Sequence, residues 1–203
     1  MLKLYFAPQS RAGRPRWMLE EIGAPYELVR LDLEKGDQKK PAYLKINPNG
    51  TVPALVDGDL ALFESAAICQ YLADKVPDKK LAPPAGTPAR AKYYQWIHYG
   101  MSAIEPPAVT IFLHTVARPE DKRVPQLVEE ARPALVNAVK VVDAALAGRP
   151  FLCGDALTTA DIIVGSTLGW CKMMGLVGNE APNAAAYLDR LTARPAWQRA
   201  FAD

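Results

Sequence analysis

Two short pairs, Val52-Pro53 and Glu64-Ser65, carry the groups with which this chain can hold a ligand. They lie in the run Asn47-Pro48-Asn49-Gly50-Thr51-Val52-Pro53-Ala54-Leu55-Val56-Asp57-Gly58-Asp59-Leu60-Ala61-Leu62-Phe63-Glu64-Ser65. Proline has no N–H, so Pro53 can open a strand but cannot serve inside one. A cis Val52-Pro53 bond would turn the chain sharply and leave the Val52 N–H and C=O free to pair with a ligand amide. Cis accounts for only about 5–6% of X–Pro bonds in folded proteins, so the residues alone favour trans. Asp57-Gly58 between two aliphatic runs reads as a two-residue hairpin turn with positive φ at both central positions. Ser65 reads as the N-cap of a helix over Ala66–Lys75, whose positive N-terminus suits a carboxylate, while Glu64 beside it can accept from an ammonium. The plainer alternative is a capping serine and a solvated glutamate.

The elements that must position these groups are legible in the hydrophobic pattern. Leu2–Ala7 alternates like a strand, with Leu2, Leu4 and Phe6 on one face. The loop Pro8–Gly13 leads into an amphipathic helix over Arg14–Ile22, which buries Trp17, Met18 and Ile22 and stops at Gly23. Tyr26–Leu31 is a second strand, and strand-helix-strand in that order favours a parallel crossover.

In this order of elements the chain resembles the cytosolic glutathione S-transferases, of bacterial type with a serine-type loop. The residues that carry the resemblance are Leu4-Tyr5-Phe6-Ala7-Pro8, Gly36-Asp37-Gln38-Lys39-Lys40-Pro41, Asn47–Val56, Phe63–Leu72 and the later Leu157-Thr158-Thr159-Ala160-Asp161. The resemblance implies a thioredoxin-like α/β N-terminal domain (β-α-β-α-β-β-α), a cis-proline at Pro53, and an all-α helical domain behind it. It implies glutathione as co-substrate, with Val52 and Pro53 against its cysteinyl part, Glu64 and Ser65 at the γ-glutamyl end and Gln38 at the glycine end. For Gln38 the competing reading is a surface loop glutamine.

The first loop of such a domain holds a Cys-x-x-Cys pair in redox proteins, but Gln9-Ser10-Arg11-Ala12-Gly13-Arg14 contains no cysteine. What remains is a site for a foreign thiol, stabilised as thiolate by a hydroxyl at the head of a helix. Two hydroxyls compete. Ser10 has the placement of the serine-type members and is preferred; Tyr5 lies where tyrosine-type members carry theirs, but the loop after it is longer and its simpler role is packing on a strand. Arg11 is either a charge near the sulfur or a solvated loop cation. Expected activities are transfer of an alkyl or aryl group to glutathione, with a glutathione-dependent disulfide reductase or peroxidase, or a non-catalytic glutathione-binding or interaction protein, as alternatives.

Composition excludes other classes. The 203 residues carry 24 basic and 22 acidic side chains, a net charge of +2, and are 50% hydrophobic. No basic patch points to nucleic acid, no apolar run approaches the ~20 residues of a membrane span, and no secretory signal is expected. Cys69, Cys153 and Cys171 are odd in number and lie in apolar contexts, as in a reducing cytoplasm. His98 and His114 lack ligand spacing, so no metal is expected. The prolines of 77–88 mark a linker between a glutathione-binding domain at 1–76 and a helical domain at 89–203. In that second part Glu105-Pro106-Pro107 should interrupt one helix and Pro133 should kink another or mark its start. Thr158 and Asp161 form a partial capping box before a helix over Ile162–Met173. Tyr94, His98, Ile111, Phe112, Trp170 and Met174 are candidates for an electrophile pocket, against the simpler reading that they are core. The resemblance further implies a cytoplasmic homodimer.

Overall fold

A computed structural model of the chain describes residues 1–178 and 180–202. These fall into two compact units, one formed by Met1–Ala82 together with the stretch from Ala193, the other by Pro83–Thr192. The expected division placed everything from 89 onward in the helical part; the stretch from Ala193 instead groups with the first unit.

In the first unit β1 (Leu2–Phe6), α1 (Gly13–Ile22), β2 (Tyr26–Arg30), a short α2 (Pro41–Leu44), β3 (Ala54–Asp57), β4 (Leu60–Phe63) and α3 (Ser65–Lys75) follow in chain order. The sheet runs β2-β1-β3-β4, with β1 parallel to β2 and antiparallel to β3, and β3 antiparallel to β4. Parallel pairing of β1 and β2 needs a crossover, which α1 supplies. Gly23 stops α1 in the left-handed conformation, φ 68°. Leu4, Leu55, Trp17, Met18, Ile68 and Leu72 are all essentially inaccessible to water and form the core between sheet and helices.

The β3–β4 turn is one residue later than expected. Asp57 pairs with Leu60, so the central residues are Gly58 and Asp59. Only Gly58 has positive φ, 59°, the pattern of a II′ turn with glycine first rather than a I′ turn.

The final helix α9 (Pro195–Ala200) packs on α1 of the same unit. Trp197 meets Trp17 at 4.6 Å between ring centroids, and Phe201 lies at 6.4 Å from Trp17. Arg194 clamps Glu21 with two hydrogen bonds of 2.6 and 2.7 Å, and Arg199 donates to Glu20 at 2.6 Å. The Phe201 ring rests on Gly13 so closely that a β-carbon there would overlap it.

The second unit holds α4 (Pro88–Tyr99), α5 (Glu105–Phe112), α6 (Pro125–Ala145), α7 (Thr159–Met173) and α8 (Pro182–Thr192). Glu105-Pro106-Pro107 does not interrupt the first of these. The chain widens into an i→i+5 turn over Gly100–Ile104 and continues as α5 with proline in its first turn, where a missing N–H costs least. Pro133 likewise neither starts nor ends α6, which runs through it with Pro133 exposed to solvent. The capping box forms: Asp161, fully buried, accepts from the Thr158 N–H at 2.8 Å, the Thr158 hydroxyl at 2.9 Å, the Leu152 N–H at 2.9 Å and Tyr187 Oη at 3.1 Å.

Removing an acceptor that serves four buried donors strands most of them, Tyr187 Oη alone keeping the Asp161 backbone carbonyl at 3.3 Å. Asp161→Ala is therefore expected to lower unfolding stability by about 3 kcal/mol, read as the shift of a urea transition. A loss below about 1 kcal/mol would show that the donors find other partners.

Candidate functional site

The strand register gathers the sequence-predicted groups at one end of the sheet. Ala54 pairs with Tyr5 on one side and with Phe63 on the other. One step beyond those pairs the three neighbouring chains carry Phe6-Ala7 leading to Ser10, Pro53 and Val52, and Glu64-Ser65. Ligands bind outside the carboxyl ends of parallel strands in open α/β sheets, and β1 ends here.

The Val52-Pro53 peptide bond is cis, against the expectation from the residues alone and as the resemblance implied. Pro53 is buried and Val52 half-buried, and among the described residues Val52 makes no backbone hydrogen bond. The Thr51 carbonyl just before it accepts two, from Tyr43 Oη at 2.6 Å and from Asn47 Nδ2 at 2.7 Å. Asn47 Oδ1 accepts from the Asn49 N–H at 3.1 Å, closing the Asn-Pro-Asn-Gly turn from its own side chain. Gly50 completes that turn at φ 58°, and a β-carbon there would lie 2.9 Å from the Gln38 carbonyl oxygen. Burial pushes the Tyr43 hydroxyl up to about 12, so it remains a proton donor across the neutral range. Neither Tyr43 nor Asn47 stood out in the sequence; a polar side chain close ahead of the strand-opening proline was the available signal.

Ser10 is half-buried in the turn that opens α1. Its Oγ donates to the Ala7 carbonyl at 2.6 Å and accepts from the Ala12 N–H at 3.2 Å, and its carbonyl accepts from the Gly13 N–H at 3.1 Å. Its hydroxyl is thus at the mouth of α1 with its proton engaged by the protein. Arg11 is exposed beside it. Tyr5 packs on Tyr43, ring centroids 5.3 Å apart.

Ser65 corrects the capping assignment. The helix begins at Ser65, and Glu64 takes the cap position with its carbonyl accepting from the Ile68 N–H. Ser65 is 3% exposed and accepts from Arg14 Nη1 at 3.1 Å rather than from its own helix. Arg14, at the start of the helix expected from the sequence, is buried on α1. Glu64 is exposed with φ 72° and ψ 111°, a backbone conformation rare for a residue with a side chain. No acidic residue occupies the first turn of α3 itself; the nearest carboxylate is that of Glu64 at the cap position.

Gln38 is folded inward: Nε2 donates to the Leu33 carbonyl at 3.2 Å, and Oε1 is buried without a partner among the described residues. Its neighbour Lys39 is exposed, with Nζ donating to the Asn49 carbonyl at 3.3 Å.

Of the six pocket candidates, Ile111 is core and Phe112 packs edge-on against Trp170 at 5.4 Å. Tyr94 and His98 are exposed, while Trp170 and Met174 are half-buried. A cleft of about 440 Å³ in the helical unit, with Lys92, Trp96, Arg149 and Leu152 in its wall, includes none of the six. His114 is buried and accepts from the Val124 N–H at 2.9 Å. Among the described residues no group of three or more His, Cys, Asp or Glu side chains is placed to hold a metal ion, and no helix is long and apolar enough to cross a membrane.

Family models match both units: residues 1–74 match the glutathione S-transferase N-terminal domain and residues 125–190 its C-terminal domain. Glutathione S-transferase 3 of Zea mays is 34% identical over 208 residues, covering 99% of this chain and 93% of its own. The chain belongs to the glutathione S-transferase family. Another family member, glutathione S-transferase GstA of Escherichia coli O157:H7, is 31% identical over 98% of this chain and 97% of its own length. The theta class glutathione S-transferase of Xanthomonas axonopodis pv. citri, solved with glutathione bound, superposes with a TM-score of 0.89 at 32% identity, covering 100% of this chain and 97% of that one. The transferase URE2P6 of Phanerochaete chrysosporium, solved with oxidized glutathione, gives 0.89 at 29% identity, over 99% and 94% of the two chains.

The protein's own thiols are poorly placed for nucleophilic work. Cys69 and Cys171 are buried, burial drives the Cys69 thiol far above its usual range, and burial pushes half-exposed Cys153 up to about 11. Iodoacetamide at pH 7.5 is expected to leave all three unmodified over minutes in the folded protein and to label three in denaturant, as counted by intact mass. Rapid labelling of one native thiol would contradict this.

Proposed function

We propose that this chain is a glutathione transferase that binds glutathione along Val52, Pro53, Glu64 and Ser65 and conjugates its sulfur to a small hydrophobic electrophile. The observation that carries the proposal is the Val52 amide, unpartnered among the described residues and aligned across the sheet with the Ser10 loop and the head of α3. An extended peptide can pair with that amide, its γ-glutamyl carboxylate favoured by the N-terminus of α3 and the Ser65 hydroxyl, its ammonium by Glu64. At the glycine end the carboxylate needs donors; Lys39, with an exposed cationic head, supplies one more directly than Gln38, whose amide N–H already serves Leu33.

Ser10 is the proposed catalytic residue. On binding, its hydroxyl turns from the Ala7 carbonyl to the glutathione sulfur, an anion being the stronger acceptor. Arg11 adds positive charge nearby, and the mouth of α1 favours the thiolate. Lowering a thiol pKa from about 8.5 to about 6.5 takes roughly 2.7 kcal/mol and raises the thiolate fraction at pH 7 about 25-fold. The thiolate then forms the carbon–sulfur bond while the leaving group departs with its electron pair. Positioning of the electrophile supplies the remaining acceleration. The same chemistry fits a cytoplasmic homodimer without a resident metal, and light scattering on the purified protein reads the dimer directly.

One observation favours a second activity: a relative of similar fold holds oxidized glutathione. A disulfide reductase would use bound glutathione in place of a protein cysteine. Turnover of an aryl halide against that of hydroxyethyl disulfide separates the two. Ser10→Ala is expected to return the thiol pKa of the binary complex to about 8.5 and lower kcat/KM about 25-fold at pH 7. An unchanged thiol pKa, read from thiolate absorbance against pH, would take Ser10 out of this role. Failure of isothermal calorimetry to detect glutathione binding would remove the transferase assignment itself.

A further inference from the structure

The bond that must pair with the bound peptide is fixed from behind. Thr51-Val52 is a planar trans peptide, so its carbonyl and its N–H point in opposite directions. The carbonyl has two lone pairs, and Tyr43 Oη and Asn47 Nδ2 occupy both at 2.6 and 2.7 Å. Neither donor is free to follow if the peptide turns. Tyr43 is 4% exposed with its ring against Tyr5, and Asn47 is 1% exposed with its other amide atom, Oδ1, held by the Asn49 N–H. That second contact also settles which end of the Asn47 amide donates.

We propose that Tyr43 and Asn47 are positioning residues that act through the Thr51 carbonyl to aim the Val52 N–H at a backbone carbonyl of the bound tripeptide. Rotation of the peptide plane would break the hydrogen bonds of two buried donors at once, so the N–H stays aimed outward before the ligand arrives. The ligand then meets a donor that needs no reorganisation. The two residues are partly redundant, because either alone still holds the carbonyl. The inference rests on the proposed glutathione site and deepens it.

The test uses S-methylglutathione, which carries the peptide backbone but no ionisable thiol and is therefore blind to Ser10. Its affinity is measured by calorimetry for the full-length wild type, Tyr43→Phe, Asn47→Asp and the double variant. Asn47→Asp keeps the acceptor for the Asn49 N–H and removes the donor to Thr51. At pH 8 each single change is expected to weaken binding about fivefold and the double about thirtyfold or more. At pH 5.5 the carboxyl group introduced by Asn47→Asp, protonated in its buried site, can donate again, and the affinity of that variant should recover toward wild type. Tyr43→Phe, which gains no donor on acidification, should show no such recovery. In a 15N spectrum of the wild type the Val52 amide proton should move downfield on adding the ligand, and in Tyr43→Phe this movement should shrink.

If wild type binds S-methylglutathione and the folded variants bind it equally well at both pH values, the positioning role is overturned while the glutathione site stands. If wild type itself does not bind, the glutathione site falls and the positioning role with it. Should the double variant fail to fold, the Val52 amide shift in Tyr43→Phe decides alone: an undiminished shift overturns the proposal.

Discussion

A single carbonyl, that of Thr51, fixes the geometry of the ligand end of the sheet. Two buried donors hold it, and the residues that supply them are themselves pinned, Tyr43 by the Tyr5 ring and Asn47 by its own turn. From that fixed point the chain passes through Pro53 into β3, and the register of β3 with its two neighbours brings the Ser10 loop and Ser65 alongside. Hydrogen bonds of this kind each contribute modestly to stability, about 1 kcal/mol, but leaving a buried donor unmatched costs more. The loop therefore has one arrangement in which both donors to the Thr51 carbonyl are satisfied, and that arrangement leaves the Val52 amide without a partner among the described residues.

Charge is distributed to match. The heads of α1 and α3 both lie at this end, neither carries an acidic residue in its first turn, and Arg14 is buried between a residue of the first loop, whose carbonyl accepts its N–H, and the Ser65 hydroxyl, to which it donates. A ligand with two carboxylates and a thiol that must ionise is favoured by such surroundings. The chain's own thiols are kept from this work by burial, full at Cys69 and partial at Cys153, where the neutral thiol is the stable form.

Much of this was legible in the residues because it is local. Alternation in Leu2–Phe6, the glycine after Ile22 and the hydroxyl-to-carboxylate spacing of Thr158 and Asp161 each set their element within a few positions. The pairs Val52-Pro53 and Glu64-Ser65 likewise mark the end of the sheet by the strands around them. What stayed hidden depends on partners far along the chain. Ser65 does not cap its helix because Arg14, 51 residues earlier, occupies its hydroxyl oxygen. Pro106 and Pro107 do not end a helix because a wider turn just before them absorbs the missing donors. The turn after β3 moved by one residue because pairing of Asp57 with Leu60 outweighs the preference of Asp-Gly for the central positions. The Val52-Pro53 isomer is set by tertiary surroundings that no dipeptide statistic contains.

The return of α9 to α1 has a consequence for anyone dividing this protein. The face of the Trp17 ring meets Trp197, and the Glu21 carboxylate gains Arg194, only after the chain has completed its second unit. A fragment cut at Ala82 would keep every strand of the sheet yet bare an indole face and leave the Glu21 carboxylate without its arginine, on the helix that begins beside Ser10. A ligand-binding half made in isolation would need those last residues grafted back, joined through a short bridge, before it could stand by itself.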